Sequence, residues 1–126
     1  MLAEEIKKFF KGEVLSDDAT LEKYSEDASI FKITPEIVVC PKDVEDIKNL
    51  VKYVSKRKKT DKKLSLSARS AGTDMTGGSL TESVMVSFTE HFNKVKEIKA
   101  QGQDGGYGVV EPGCYFRDFE KKALEK

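Results

Sequence analysis

Apolar residues in the first segment fall at Ile6, Phe9 and Phe10, spacings of three and four that predict a short amphipathic helix from Ala3 to Lys11, closed by Gly12. Leu21 and Tyr24 then share one face of a second short helix, for which Asp18 or Thr20 supplies the cap. The pattern changes at Pro35. PEIVVCP sets a short, valine-rich apolar run between two prolines, too brief for a helix, and predicts a strand buried on both faces. After Pro41, the positions Val44, Ile47, Leu50, Val51 and Val54 form the stripe of an amphipathic helix. Asp43 is its N-cap, and Asp46 stands where a capping box would place Glu or Gln.

KLSLSA alternates with period two and SVMVSF adds a further strand. Strand, helix and strand within about thirty-five residues make a right-handed crossover, so PEIVVCP and KLSLSA are expected to run parallel. The segment after KLSLSA then leaves the carboxyl end of a central parallel strand, where open α/β sheets bind ligands. KVKEIKA and YGVVEPG, joined by the turn QGQDGGYG, read as a β-hairpin. Tyr115, Phe116, Phe119, Ala123 and Leu124 recur at helical spacing, and no stop signal precedes Lys126.

The segment SARSAGTDMTGGS, residues 67–79, concentrates three of the chain's nine glycines. A small-residue loop leaving a parallel strand can aim its backbone N–H groups at one point and bind phosphate oxygens without a lysine. Gly72, Gly77 and Gly78 permit left-handed backbone and close approach, and Ser70, Thr73, Thr76 and Ser79 supply hydroxyl donors. Asp74 would repel such an anion, so its carboxylate is expected to hold the loop by bonding its own backbone. The spacing matches neither a mononucleotide P-loop nor a G-x-G-x-x-G dinucleotide fingerprint. An ordinary connecting loop remains the competing reading on chemistry alone.

Composition narrows the partners. A chain of 126 residues, 38% apolar and 35% charged, is the size of one domain with a polar surface. Its 22 basic residues balance 22 acidic ones, so no global field recruits nucleic acid or an anionic membrane. The basic run Lys56–Lys59, followed by Lys62 and Lys63, fits a helix carboxyl terminus better than a nucleic-acid patch. MLAEEIKKFF lacks the features of a signal peptide, and no stretch is long enough to span a bilayer. Cys40 and Cys114 suggest neither a disulfide framework nor a zinc site, which makes the cytoplasm the expected location. Both read as small packing residues, with Cys114 the one able to approach a ligand. His91 reads as a surface or turn residue. The carboxylate pairs Glu4 with Glu5 and Asp17 with Asp18 read as solvated surface groups.

Taken in order, PEIVVCPKDVEDIKNLVKYV, LSLSARSAGTDMTGGS, SVMVSF, NKVKEI and VVEPGCYFRDFEKKAL resemble the start of the FAD-binding domain of FAD-linked oxidases. This is the PCMH-type family of vanillyl-alcohol oxidase, glycolate oxidase and D-lactate dehydrogenase, and the resemblance runs from about Leu21 to Lys126. It implies an α+β fold: a small parallel sheet flanked by helices, with the start of an antiparallel sheet beside it. It also implies that the loop of Arg69, Ser70, Ala71, Gly72, Thr73, Asp74, Met75, Gly77, Gly78 and Ser79 cradles the FAD diphosphate. By the same resemblance Pro112 and Gly113 lie near the cofactor. Members with flavin fixed covalently to this loop carry histidine where Thr73 stands, so noncovalent FAD is implied.

In the family, further flavin-holding strands and a substrate domain follow this region and carry the acid, base and metal-ligating groups. The resemblance therefore assigns no catalytic residue and no metal ligand here, and residues 1–126 are expected to be the N-terminal portion of the FAD-binding domain. The implied partners are FAD and the remainder of the flavoenzyme or a complementary subunit. The open sheet face also offers a homodimer contact. The implied activity is hydride transfer from a small 2-hydroxy acid, of glycolate or D-lactate type, to FAD. The alternatives are a flavin-free binding or assembly module that keeps the fold, and the related UDP-N-acetylenolpyruvoylglucosamine reductase type.

Overall fold

The computed structural model describes residues 1–103 and 105–126. Along the chain run α1 (Leu2–Lys7), β1 (Glu13–Leu15), α2 (Asp18–Tyr24), β2 (Ile37–Cys40), α3 (Val44–Arg57), β3 (Leu66–Arg69), β4 (Val84–Ser87), β5 (Val95–Ala100), β6 (Gly106–Val110) and α4 (Phe116–Leu124). One sheet has the order β1-β2-β4-β3, with β1 antiparallel to β2 and the other neighbours parallel; β5 and β6 form a separate antiparallel pair. This is the α+β arrangement implied by the sequence.

All residues of β2 and β4 are buried, as expected of apolar strands covered on both faces. On one face Ile37, Val39, Val84 and Val86 pack against Ala3, Ile6 and Phe10 from the N-terminal segment and Leu50 and Val54 from α3. On the other, Val38 and Met85 pack against Tyr24 of α2, flanked by Leu15 and Leu21. The Tyr24 hydroxyl and the Ser87 hydroxyl, 3.2 Å apart, tie α2 to the central strand.

Four expectations are corrected. First, β2 and β3 run in the same direction, but β4 enters between them, which leaves β3 at the edge of the described sheet. The fully apolar VMVS takes the covered centre, whereas LSAR, with no residue fully buried, suits an edge. Second, α1 ends at Lys7, and Phe9 and Phe10 pack from a turn. Gly12 does not close it: a Cβ there would lie 1.9 Å from the Cys40 carbonyl oxygen, so the glycine lets β1 lie against β2. Third, Asp17, not Asp18 or Thr20, caps α2 by accepting from the Thr20 N–H at 2.9 Å. Fourth, α4 stops at Leu124, with Glu125 as its C-cap.

The start of α3 matches its prediction. The Asp43 carboxylate accepts from the Asp46 N–H at 3.0 Å. Asp46 is fully buried and accepts from the N–H groups of Lys11, Gly12 and Lys42, each at 2.9 Å, which pins the chain before β1 to the start of the helix. Leu50 and Val54 are buried while Val44 and Val51 are half-exposed, so the covered stripe is narrower than the sequence pattern. Lys56 and Arg57 occupy the last turn of α3, as expected of a basic helix terminus. Glu5 of α1 is not merely solvated: it accepts from the Tyr53 hydroxyl at 2.8 Å and pairs with Arg57, joining α1 to α3. In the β5–β6 turn Asp104, part of the predicted QGQDGGYG turn, lies outside the described residues.

Candidate functional site

The ladder between β3 and β4 ends where the Phe88 N–H donates to the Arg69 carbonyl at 3.0 Å. From there the glycine-rich loop leaves the carboxyl end of the parallel strands. Residues Ala68–Asp74 and Ser79 line a cleft of 360 Å³, within the ~300–1,000 Å³ usual for ligand sites. Among the described residues, no protein acceptor engages the backbone N–H groups of Ser70, Ala71, Gly72, Thr73 or Asp74. Consecutive unengaged amides around one concavity offer hydrogen bonds to an anion. Two larger concavities, of 420 Å³ and 550 Å³, lie against α4. Among the described residues, neither is lined by such a run of donors at the strand ends.

The loop closes on itself through Asp74. Its Oδ1 accepts from both the N–H and the hydroxyl of Thr76 at 2.7 Å, the internal role expected of this carboxylate. Those bonds from Thr76 hold the Asp74 carboxyl below its usual range, against opposing pushes from desolvation and the charge of Asp27. Gly72 and Gly77 adopt φ of +72° and +78°, the left-handed region glycine enters at little cost. The Leu80 N–H donates to the Gly77 carbonyl at 3.0 Å and returns the chain toward β4.

The glycines face the protein's own atoms. A Cβ on Gly72 would lie 2.2 Å from Arg69 Nη2, and one on Gly77 would lie 2.9 Å from the Phe31 ring. The Arg69 guanidinium lies against Gly72 and also bonds outside the loop. Its Nη1 donates to the carbonyls of Glu26, at 2.7 Å, and Tyr24, at 3.3 Å, with the guanidinium 5.2 Å from the Tyr24 ring centre. Met75 is 80% exposed, and it stands outside the cleft lining together with Gly77 and Gly78.

Pro112 and Gly113 are also outside that lining. Gly113 nonetheless reaches the same end of the sheet, because its N–H donates to the Phe92 carbonyl at 2.7 Å and a Cβ there would lie 2.1 Å from the Phe88 carbonyl oxygen. Its smallness serves the packing of the turn after β4. His91 lies in that turn, with Nε2 2.7 Å from the Glu13 carboxylate of β1. Burial pushes the Glu13 carboxyl up, but the His91 bond, with backbone and charge contributions, carries it below its usual range. Cys40 is buried and its thiol is pushed up to about 11, first by desolvation and then by the charges of Glu13 and Glu90. Cys114 is partly buried, and its thiol lies 3.6 Å from the Tyr115 carbonyl.

Comparison with known proteins decides the family. The profile described as FAD binding domain matches residues 35–126. The chain belongs to this FAD-binding domain family. A D-2-hydroxyglutarate dehydrogenase of Pseudomonas putida is 28% identical over 92 residues, 73% of this chain and 9% of that protein. A second D-2-hydroxyglutarate dehydrogenase, from Escherichia coli, is 26% identical over 104 residues, 82% of this chain and 10% of that protein. The chain thus spans about a tenth of the length of these curated relatives. Among solved structures, an alkyldihydroxyacetonephosphate synthase superimposes with TM-score 0.74 at 17% identity, covering 97% of this chain and 24% of that one. CrmK, a flavoenzyme of caerulomycin biosynthesis, superimposes with TM-score 0.59 at 18% identity, covering 90% and 22%. These likenesses establish the fold.

FAD is the cofactor of the family, and the cleft fits part of it. Unengaged amides, left-handed glycines and the inward-turned Asp74 suit a diphosphate. Sequence reasoning gave the segment 24–31 no part in the site, yet it contributes Glu26, Asp27 and Phe31 to the loop's surroundings. It carries no periodicity, and only the adjacent charges of Glu26 and Asp27 mark it. Among the described residues, no group of three or more His, Cys, Asp or Glu side chains is arranged to hold a metal ion, and no helix is long and apolar enough to cross a membrane.

Proposed function

We propose that the amides of Ser70–Asp74, together with Ser79, hold the diphosphate of noncovalent FAD in a flavin-dependent oxidoreductase acting on a small 2-hydroxy acid. The observation that carries this reading is the run of unengaged amides around the 360 Å³ cleft at the carboxyl end of the parallel strands. The name of the relatives, D-2-hydroxyglutarate dehydrogenase, supports the 2-hydroxy acid class. Bound FAD would supply the hydride acceptor. The chain's own residues bind and orient: the amides donate to phosphate oxygens, the Thr73 hydroxyl adds a donor without a nucleophilic ring nitrogen, and Asp74 keeps its charge turned into the Thr76 turn. Arg69, expected from the resemblance to contact the cofactor, gives its Nη1 donors to the carbonyls of Glu26 and Tyr24.

Residues 1–126 form the N-terminal portion of the flavin domain in this reading. The rest of the flavin site and the catalytic groups come from the remainder of the enzyme or a complementary subunit, for which β6, exposed along its whole length, is the open face. The chain alone binds FAD without turnover. Titrating it into FAD while following flavin fluorescence, with ADP as competitor, tests the reading. Saturable binding relieved by ADP is expected; absence of binding overturns it in favour of a flavin-free module.

A further inference from the structure

We infer that the segment Tyr24–Phe31 is a built-in brace that shapes the diphosphate loop before the cofactor arrives, and that Asp27 within it and Arg69, which bonds it from the end of β3, are positioning residues, not ligands of the diphosphate. The inference rests on the reading of the loop as the diphosphate site. One segment grips the loop at three points. At its start, Arg69 spans from β3 to the carbonyls of Glu26 and Tyr24 and fills the space beside Gly72. In its middle, the Phe31 ring lies against Gly77. At its end, Asp27 Oδ2 accepts from the Ser79 hydroxyl at 3.4 Å, while Oδ1 accepts from the Ser29 N–H at 2.8 Å and so fixes the carboxylate. The unengaged amides lie between the first grip and the second.

Such a loop loses conformational freedom when it closes on a ligand, and that loss subtracts from affinity unless the folded protein has already imposed it. The brace does so with contacts that leave the amides free. Electrostatics makes the assignment testable. Arg69 is a cation at the edge of the cleft that binds neutral carbonyls, and Asp27 is an anion beside the place where a second anion would sit. Judged by charge alone, removing Asp27 should tighten FAD binding. Judged as a brace, it should weaken it. The Asp27 carboxyl is held below its usual range, first by the Ser29 bond, with a contribution from the Arg69 charge, so it carries its charge at neutral pH.

Asp27→Ala, Asp27→Asn and Arg69→Lys are to be compared with the unmodified chain by FAD titration and by amide hydrogen exchange without FAD at Thr76 and Leu80, whose N–H groups are bonded inside the loop. Urea unfolding provides the global control. The expected result is that Asp27→Ala raises the FAD dissociation constant on the order of tenfold, the scale of one lost hydrogen bond. Exchange at Leu80 accelerates while the urea midpoint holds, and Asp27→Asn, which keeps an acceptor, restores most of the protection. Arg69→Lys keeps the charge but loses the planar fork, so affinity falls with an unchanged salt dependence. Tighter or unaltered binding in Asp27→Ala, or full affinity in Arg69→Lys, overturns the inference. If the unmodified chain binds no FAD, the proposed function fails, and exchange in the FAD-free variants still decides the brace: acceleration supports it and unchanged exchange overturns it.

Discussion

Asp46 and Gly12, 34 residues apart, meet where the Asp46 carboxylate accepts from the Gly12 backbone N–H at 2.9 Å. The same buried carboxylate also receives the N–H groups of Lys11 and Lys42, so one side chain ties the N-terminal segment to the first turn of α3. Asp46→Ala strands three donors together and is expected to cost about 3 kcal/mol or more. Thermal unfolding checks this, with an expected fall in Tm of roughly 10 °C. A fall no larger than that of an exposed control such as Glu45→Ala would contradict it.

Gly77 combines a φ of +78° with the Phe31 ring 2.9 Å from where a Cβ would stand. Gly77→Ala therefore meets both backbone strain and a clash, at an expected cost of about 1–3 kcal/mol. Because that cost falls on the loop, FAD affinity should drop further than the urea midpoint. Fluorescence titration and urea unfolding of the same preparation measure the two effects.

Acid should loosen the tie between α1 and α3. The Glu5 carboxyl is held below its ordinary value of 4.5 first by the Tyr53 hydroxyl bond, against desolvation, and then by the charge of Arg57. A carboxylate with a lowered folded-state value binds its proton more readily when the chain unfolds. Its stabilisation is complete above the unfolded value and is lost as pH falls through the folded one. Tm is expected to fall as pH is lowered past the ordinary value of 4.5, and to fall less steeply in Glu5→Gln. Parallel curves would refute the assignment.

Thiol reactivity should separate the two cysteines. Cys40 is buried with its thiol raised to about 11, whereas Cys114 is only partly covered. Iodoacetamide at neutral pH is expected to label Cys114 and spare Cys40 until the chain is unfolded, as read by mass spectrometry of peptides.

β2 was legible because prolines bracket its apolar run and every side chain faces a covering layer. α3 was legible because Asp43 and the Leu50–Val54 stripe are local signals. The loop advertised itself by composition, and Asp74 by the cost of an unpaired carboxylate beside an anion. β1 was not legible, since Glu13–Leu15 is too short to show a period and exists as a strand through pairing with β2. The insertion of β4 between β2 and β3 was equally hidden, because strand order depends on which strand can be covered on both faces. The bonds from Arg69 to the Glu26 and Tyr24 carbonyls were not legible either, because those partners lie 43 and 45 residues away in a segment without pattern.

The most direct measurement of the cofactor assignment is the backbone amide spectrum of the chain as FAD is added. The expected result is that the largest shifts gather on Ser70–Asp74 and Ser79, the residues lining the cleft. Unchanged resonances there, or shifts centred instead on the concavity between Tyr107 and Phe119, would contradict it.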